Sequence, residues 1–162
     1  MAATKTLLAA LAAAGLLVAC SNTDDSANTA GAGAGSGSGS GTVRPGSQED
    51  LVANIGDRVL FDTDRSSIRA DQRSVLERQA GWLGRFPQVQ VAVEGHADER
   101  GTREYNLALG QRRANAARDV LVAGGVASAR ISTISYGKDR PASLGSDETA
   151  WSQNRRAVTV VR

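Results

Sequence analysis

Aromatic side chains are scarce in this chain, at 4% of 162 residues, and the scarcity excludes a stacking platform for single-stranded nucleic acid. An excess of one charge is missing too. Nineteen Lys and Arg stand against seventeen Asp and Glu, a formal net charge of +2. The two signs are interleaved, so there is no basic stripe of the kind a phosphate backbone requires, and nucleic acid is excluded as a partner. With one cysteine, Cys20, no intramolecular disulfide can form. With one histidine, His96, a metal set with Asp98, Glu99 and Glu104 lacks the second His or Cys that a transition metal favours, so no metal or other cofactor is expected. No Ser-His-Asp or Cys-His set stands out. Leu7 to Val18 is an unbroken apolar run of twelve residues, too short to span a bilayer.

That run has another use. Lys5 precedes it and Leu17-Val18-Ala19-Cys20 closes it, which reads as an export signal over residues 1–19. The closing residues resemble the lipobox of bacterial lipoproteins, in which the cysteine becomes the lipidated first residue. Cys20 is thus the expected lipidation site, and more than one acyl chain would anchor the protein stably to a membrane. Ser21, where an Asp tends to retain lipoproteins at the inner membrane, is compatible with delivery to the outer membrane. Residues 20–46 then form a Gly/Ser/Ala linker containing GAGAGSGSGSG. As a Gly-rich coil it has an r.m.s. span of roughly 30 Å and a stretched reach of roughly 90 Å.

Residues 47–162, 116 in all, are enough for one domain. A short helix is expected at Gln48–Asn54, with Leu51, Val52 and Ile55 turned inward, and a strand at Arg58–Phe61. Asp71–Phe86 reads as a helix stopped by Pro87. Gln88–Val93 alternates, with Val89, Val91 and Val93 on one side, as a half-buried strand does. A helix at Glu104–Ala123 ends at Gly124-Gly125, and strands follow at Ile131–Ser135 and Arg156–Val161. Gly137–Asn154 reads as a long loop with a short turn. The order βαβαββ predicts an α+β two-layer domain, with a mixed four-stranded sheet and two main helices.

The densest polar stretch, EGHADERGTREYNLALGQRRA from Glu94 to Ala114, falls on a strand-to-helix connection and the helix behind it, where binding sites concentrate. Its charges leave two alternatives open. Two of Glu94, Asp98 and Glu99 would serve a glycosidase as acid and base, although no aromatic sugar cleft accompanies them. Asp98 and Arg113 would otherwise be a binding pair or a structural salt bridge. His96 is expected to make a fixed hydrogen bond within the loop.

The segments LFDTDRSSIR, VEGHADERGTREYNLALGQRRANA, ISYGKDRPA and NRRAV, in this order, resemble the OmpA-like peptidoglycan-binding domain family over nearly everything from Arg58 onward. Leu60 and Arg103 depart from residues common there, Tyr and Pro. The resemblance implies a non-enzymatic protein that binds the diaminopimelate residue of peptidoglycan stem peptides. The free end of that side chain is a zwitterion, so it needs an anion for its ammonium and a fork of donors for its carboxylate. By motif, Asp98 is the anion and Arg113 the fork, with Arg112 as rival. Phe61 and Asp62 line the same pocket, and Thr102, Asn106 and Leu109 are further candidates. The implied partners are peptidoglycan, the outer membrane through the lipid anchor, and the periplasmic β-propeller protein TolB with the wider Tol–Pal system, in outer-membrane integrity and invagination at division. A cell-wall hydrolase and an OmpA-like anchor of another envelope assembly are the remaining alternatives.

Overall fold

The structure, a computed structural model, describes residues 43–162. The expected signal segment, Cys20 and nearly all of the linker lie outside the described residues. Within them runs the order α1 (Gln48–Asp50), a five-residue π-type turn (Leu51–Ile55), β1 (Arg58–Leu60), α2 (Ala70–Arg85), β2 (Val91–His96), α3 (Arg103–Ala123), a 3-10 turn (Ser128–Arg130), β3 (Ile131–Gly137), α4 (Glu148–Asn154) and β4 (Arg156–Val161). The strands form one mixed sheet in the order β1-β4-β2-β3: β2 and β3 are parallel, and β4 runs antiparallel to both β1 and β2. The expected α+β fold with four strands and two main helices is the one observed.

Local chemistry accounts for the element ends. Asp71 sits in the first turn of α2 and Arg85 in its last, each complementing the helix dipole, and Pro87 cannot continue the helix. Thr102 caps α3, its side chain accepting a hydrogen bond from Tyr105 N at 3.2 Å. Asp147 does the same for α4, accepting from Ala150 N at 2.8 Å. The stretch read as a loop thus contains a two-turn helix, which a single cap and a short apolar pattern did not announce.

Leu76, Ala80, Trp82 and Leu83 of α2 and Ala114, Ala117 and Leu121 of α3 close over Val59, Val91, Val93 and Ala157 of the sheet. Each large side chain removed from water contributes about 1.5–3 kcal/mol. Leu51 is buried as expected, but Val52 is 48% exposed, because the π-type turn rotates it off the core face. Gln79, a polar side chain, is fully buried. Its amide donates to Gly56 O at 2.7 Å and its oxygen accepts from Thr159 Oγ1 at 2.8 Å, so its burial leaves no polar atom orphaned.

One contact fixes where the polar stretch lies. A Cβ built on Gly95 would fall 1.8 Å from the carbonyl oxygen of Gly110, and one on Gly110 would fall 2.3 Å from Ser135 Oγ. Two bare backbones therefore touch, and α3 crosses β2 and β3 at this pair. Glu94 to His96, expected to open a loop, instead continue β2, paired to β3 on one side and, through Gly95, to β4 on the other.

Candidate functional site

The carboxyl ends of β1 and β2 and the start of α3 converge, and the connection of residues 97–102 is tied down on every side. Ala97 N donates to Gly137 O at 2.8 Å. Lys138 Nζ donates to Glu99 O at 3.0 Å and Gly101 O at 2.7 Å. Asn106, 1% exposed, donates from Nδ2 to Arg100 O at 2.8 Å. Gly101 turns the chain with φ +87°, a conformation side chains rarely adopt. Thr102 and Asn106, two of the candidates, thus build the loop: one as helix cap and one as strut.

Asp98 lies 7% exposed at the centre of this loop. Its Oδ1 accepts from Arg100 N and Nε, both at 3.2 Å. Its Oδ2 accepts from Arg100 Nη2 at 2.5 Å and Arg155 Nη1 at 3.4 Å. Burial works to raise its pKa, but the hydrogen bonds and charge of Arg100, with Arg155 behind, outweigh it and hold the carboxyl below its ordinary value. The group is therefore a carboxylate at neutral pH.

Arg113 is fully buried. Its Nε donates to Arg65 O at 2.9 Å, Nη1 to His96 O at 2.9 Å and Nη2 to Asp62 O at 3.0 Å, while its guanidinium lies 5.2 Å from the centre of the Phe61 ring. Desolvation lowers its pKa to about 10, still far above neutrality. The structure thus places the expected fork with three donors already on carbonyls, knitting the β1–α2 loop to the end of β2; one N–H remains on each terminal nitrogen. Asp98 and Arg113 make no hydrogen bond to each other, although the charge of Asp98 favours the protonated Arg113.

The other candidates surround this pair. Phe61 is 1% exposed, and its carbonyl accepts from Arg155 Nε at 3.1 Å. Asp62 turns its carbonyl to Arg113 and its exposed carboxylate to Arg69, 3.4 Å away. Leu109 is 3% exposed on α3. Arg112, the rival fork, is exposed. Arg155 and Arg156 are both buried, Arg155 bridging Asp98, Phe61 O and Glu148, and Arg156 donating to Asn154 O and Arg140 O.

Arg100 and Asp64 carried no role in the sequence reading. Arg100, besides gripping Asp98, reaches Thr63 Oγ1 at 3.3 Å and lies 4.2 Å over the Trp151 ring. Asp64 holds φ 55° without being glycine and accepts from Tyr105 Oη at 3.4 Å. Thr63, Asp64, Arg100, Gly101 and Tyr105 line an open cavity of about 220 Å³ beside Asp98. Backbone strain at a non-glycine residue is found at ligand clamps, but it is not readable from a run of side chains.

His96 corrects an expectation. It is 2% exposed, and neither ring nitrogen has a hydrogen-bond partner among the described residues. Glu94 Oε2 is 3.9 Å from Nε2, and the Tyr136 ring lies 5.6 Å away. Desolvation, helped by the nearby Arg156 charge, pushes its pKa down to about 4.

A connection built from a strand end and a capped helix, holding a buried carboxylate and a buried guanidinium beside an open cavity, defines a binding module of the OmpA type. The sequence matches the OmpA family over residues 60–155, more than half of the chain, and the chain belongs to that family. Among curated relatives, the peptidoglycan-associated lipoprotein of Agrobacterium fabrum is 54% identical over 145 residues, covering 90% of this chain and 81% of the relative. Its namesake in Mesorhizobium japonicum is 65% identical over 117 residues, 72% of this chain and 70% of the relative. The crystal structure of the peptidoglycan-associated lipoprotein from Burkholderia pseudomallei superposes with a TM-score of 0.65 at 41% identity, covering 70% of this chain and all of that one.

Proposed function

We propose that the protein is a lipoprotein of the bacterial envelope that holds the cell wall non-covalently. Cys20 carries the acyl chains in the outer membrane, the linker spans the gap, and the folded domain in the periplasm grips peptidoglycan through the diaminopimelate of its stem peptides. The names of the relatives and the family match support the coarser statement, an envelope lipoprotein with a peptidoglycan-binding domain. The chain is a binding protein rather than an enzyme, in keeping with relatives named as lipoproteins.

The single observation that carries the finer reading is a buried carboxylate, Asp98, bonded to the Arg100 that lines an open cavity, with the buried guanidinium of Arg113 holding the neighbouring loop. A zwitterionic end group entering there meets Asp98, kept ionised by its neighbours, while Arg113 holds Asp62 and His96 in place and adds positive potential for the carboxylate. Fixed charges in a partly desolvated cleft act more strongly than on an open surface. Because nothing covalent forms, the link is remade as the wall grows. Partnership with TolB and the Tol–Pal system, serving outer-membrane integrity and invagination at division, is part of the same proposal.

Sedimentation with purified sacculi tests the binding. The protein co-sediments, and Asp98→Ala stays in the supernatant; release of sugars or stem peptides during incubation would instead support the hydrolase alternative. Fractionation tests the anchor. Cys20→Ser yields a soluble periplasmic protein, and its continued flotation with outer membranes would contradict the lipid anchor.

A further inference from the structure

A carboxylate offers about four lone-pair sites, and Asp98 has four donors on it, three from Arg100 and one from Arg155. The anion read as the ammonium receptor is therefore already saturated by the protein's own donors, one backbone N–H and three guanidinium N–H groups. An incoming ammonium can bind there only by displacing a donor. Arg155 is poorly placed to leave, being 6% exposed and tied as well to Phe61 O and Glu148. Arg100 is free to move: its side chain is 39% exposed, its other holds are one hydroxyl at 3.3 Å and the face of Trp151, and its Nη1 has no partner among the described residues. It also borders the open cavity, so a displaced guanidinium has room beside the ligand.

We infer that Arg100 is an internal counter-ion of Asp98 that selects a zwitterionic ligand end over a plain amine. This rests on the reading of the site as a receiver of diaminopimelate and names what sets its specificity. A ligand bringing only an ammonium breaks the Arg100–Asp98 pair to make one new pair, and leaves a guanidinium without its anion. The exchange is close to even. A ligand bringing an ammonium and a carboxylate on the same carbon makes two pairs for the one it breaks, since the released guanidinium can donate two parallel hydrogen bonds to the carboxylate. Stem peptides ending in diaminopimelate carry that second charge, and those ending in lysine do not.

The two tripeptides L-Ala-γ-D-Glu-meso-diaminopimelate and L-Ala-γ-D-Glu-L-Lys differ in that one carboxylate, so they separate the two cases. Calorimetric titration of the full chain with each, in the wild type and in Arg100→Ala and Arg100→Gln, provides the test. Arg100→Gln keeps the length of the side chain without its charge. The wild type prefers the diaminopimelate tripeptide by roughly tenfold or more, the worth of one charge-assisted pair. Both variants bring the ratio near one, and they bind the lysine tripeptide more tightly than the wild type does. An unchanged ratio in both variants, or an equal loss of both ligands, would overturn the role of Arg100 while leaving the binding function in place. A wild type that binds neither tripeptide nor sacculi would overturn the functional reading, and this inference with it.

Discussion

Replacing Arg113 with methionine keeps most of its buried volume and removes its guanidinium. Three carbonyls then lose a donor: His96 O, whose bond is wholly buried, and Arg65 O and Asp62 O, whose bonds are partly accessible, Asp62 O keeping Arg65 N at 3.2 Å. A buried acceptor left unsatisfied costs about 1–3 kcal/mol, and each of the two bonds that water can replace costs about 0.5–1 kcal/mol. The sum is about 3 kcal/mol, a large share of the roughly 5–15 kcal/mol that hold a domain of this size together. With a urea slope of about 2 kcal/mol per molar, the unfolding midpoint falls by about 1.5 M. Arg113→Lys, which keeps a charge but not the planar fork, recovers only part of that loss. Urea unfolding followed by far-UV circular dichroism provides the measurement. A midpoint within 0.3 M or so of the wild type for Arg113→Met would refute the reasoning, because the guanidinium would then not be holding the β1–α2 loop to β2.

Gly95→Ala forces a methyl against the Gly110 carbonyl at 1.8 Å; the helix must lift, and thermal unfolding registers a loss of about 2–3 kcal/mol. His96, with its pKa lowered from 6.5 to about 4, makes stability depend on pH. Below 6.5 the unfolded chain takes up a proton that the folded one refuses until about 4, so stability declines across that window by roughly 3 kcal/mol as pH falls. Denaturation at a series of pH values shows this slope, and His96→Gln flattens it. Asp98, whose folded pKa lies below its ordinary value, contributes stability that is complete above the usual carboxyl range and lost as pH falls through the folded pKa. Asp98→Asn accordingly removes part of the acid sensitivity seen below about pH 4.

The parts of the fold governed by neighbours in sequence were legible. Val91 and Val93 marked β2, although Val89 precedes the strand and Ala92 is buried too, so the strand is covered on both faces rather than half-buried; Pro87 and Gly124-Gly125 marked helix ends, and Asp71 marked a first turn. Strand ends were less so. Glu94 to His96 carry loop-like polarity, yet they extend β2 because β3 and β4 satisfy their backbone from both sides. Of the candidate residues a motif carried, Asp98, Arg113, Phe61 and Asn106 meet around one loop. The roles were harder to read. Arg113 carries the charge expected of it but spends its donors on carbonyls 17, 48 and 51 residues away. Arg100 finds its partners at Thr63, Asp98 and Trp151, from three separate parts of the chain. No local period encodes such meetings; they follow from how α3, β1 and α4 pack against the ends of the sheet.

The central claim is that the cleft around Asp98 receives a stem-peptide end group carrying both charges. Titration of the full chain with the diaminopimelate tripeptide, in the wild type and in Asp98→Ala, tests it most directly. Saturable binding by the wild type, weakened tenfold or more in Asp98→Ala with an unchanged fold, is the predicted result. Equal binding by both proteins would place the ligand elsewhere and contradict the account.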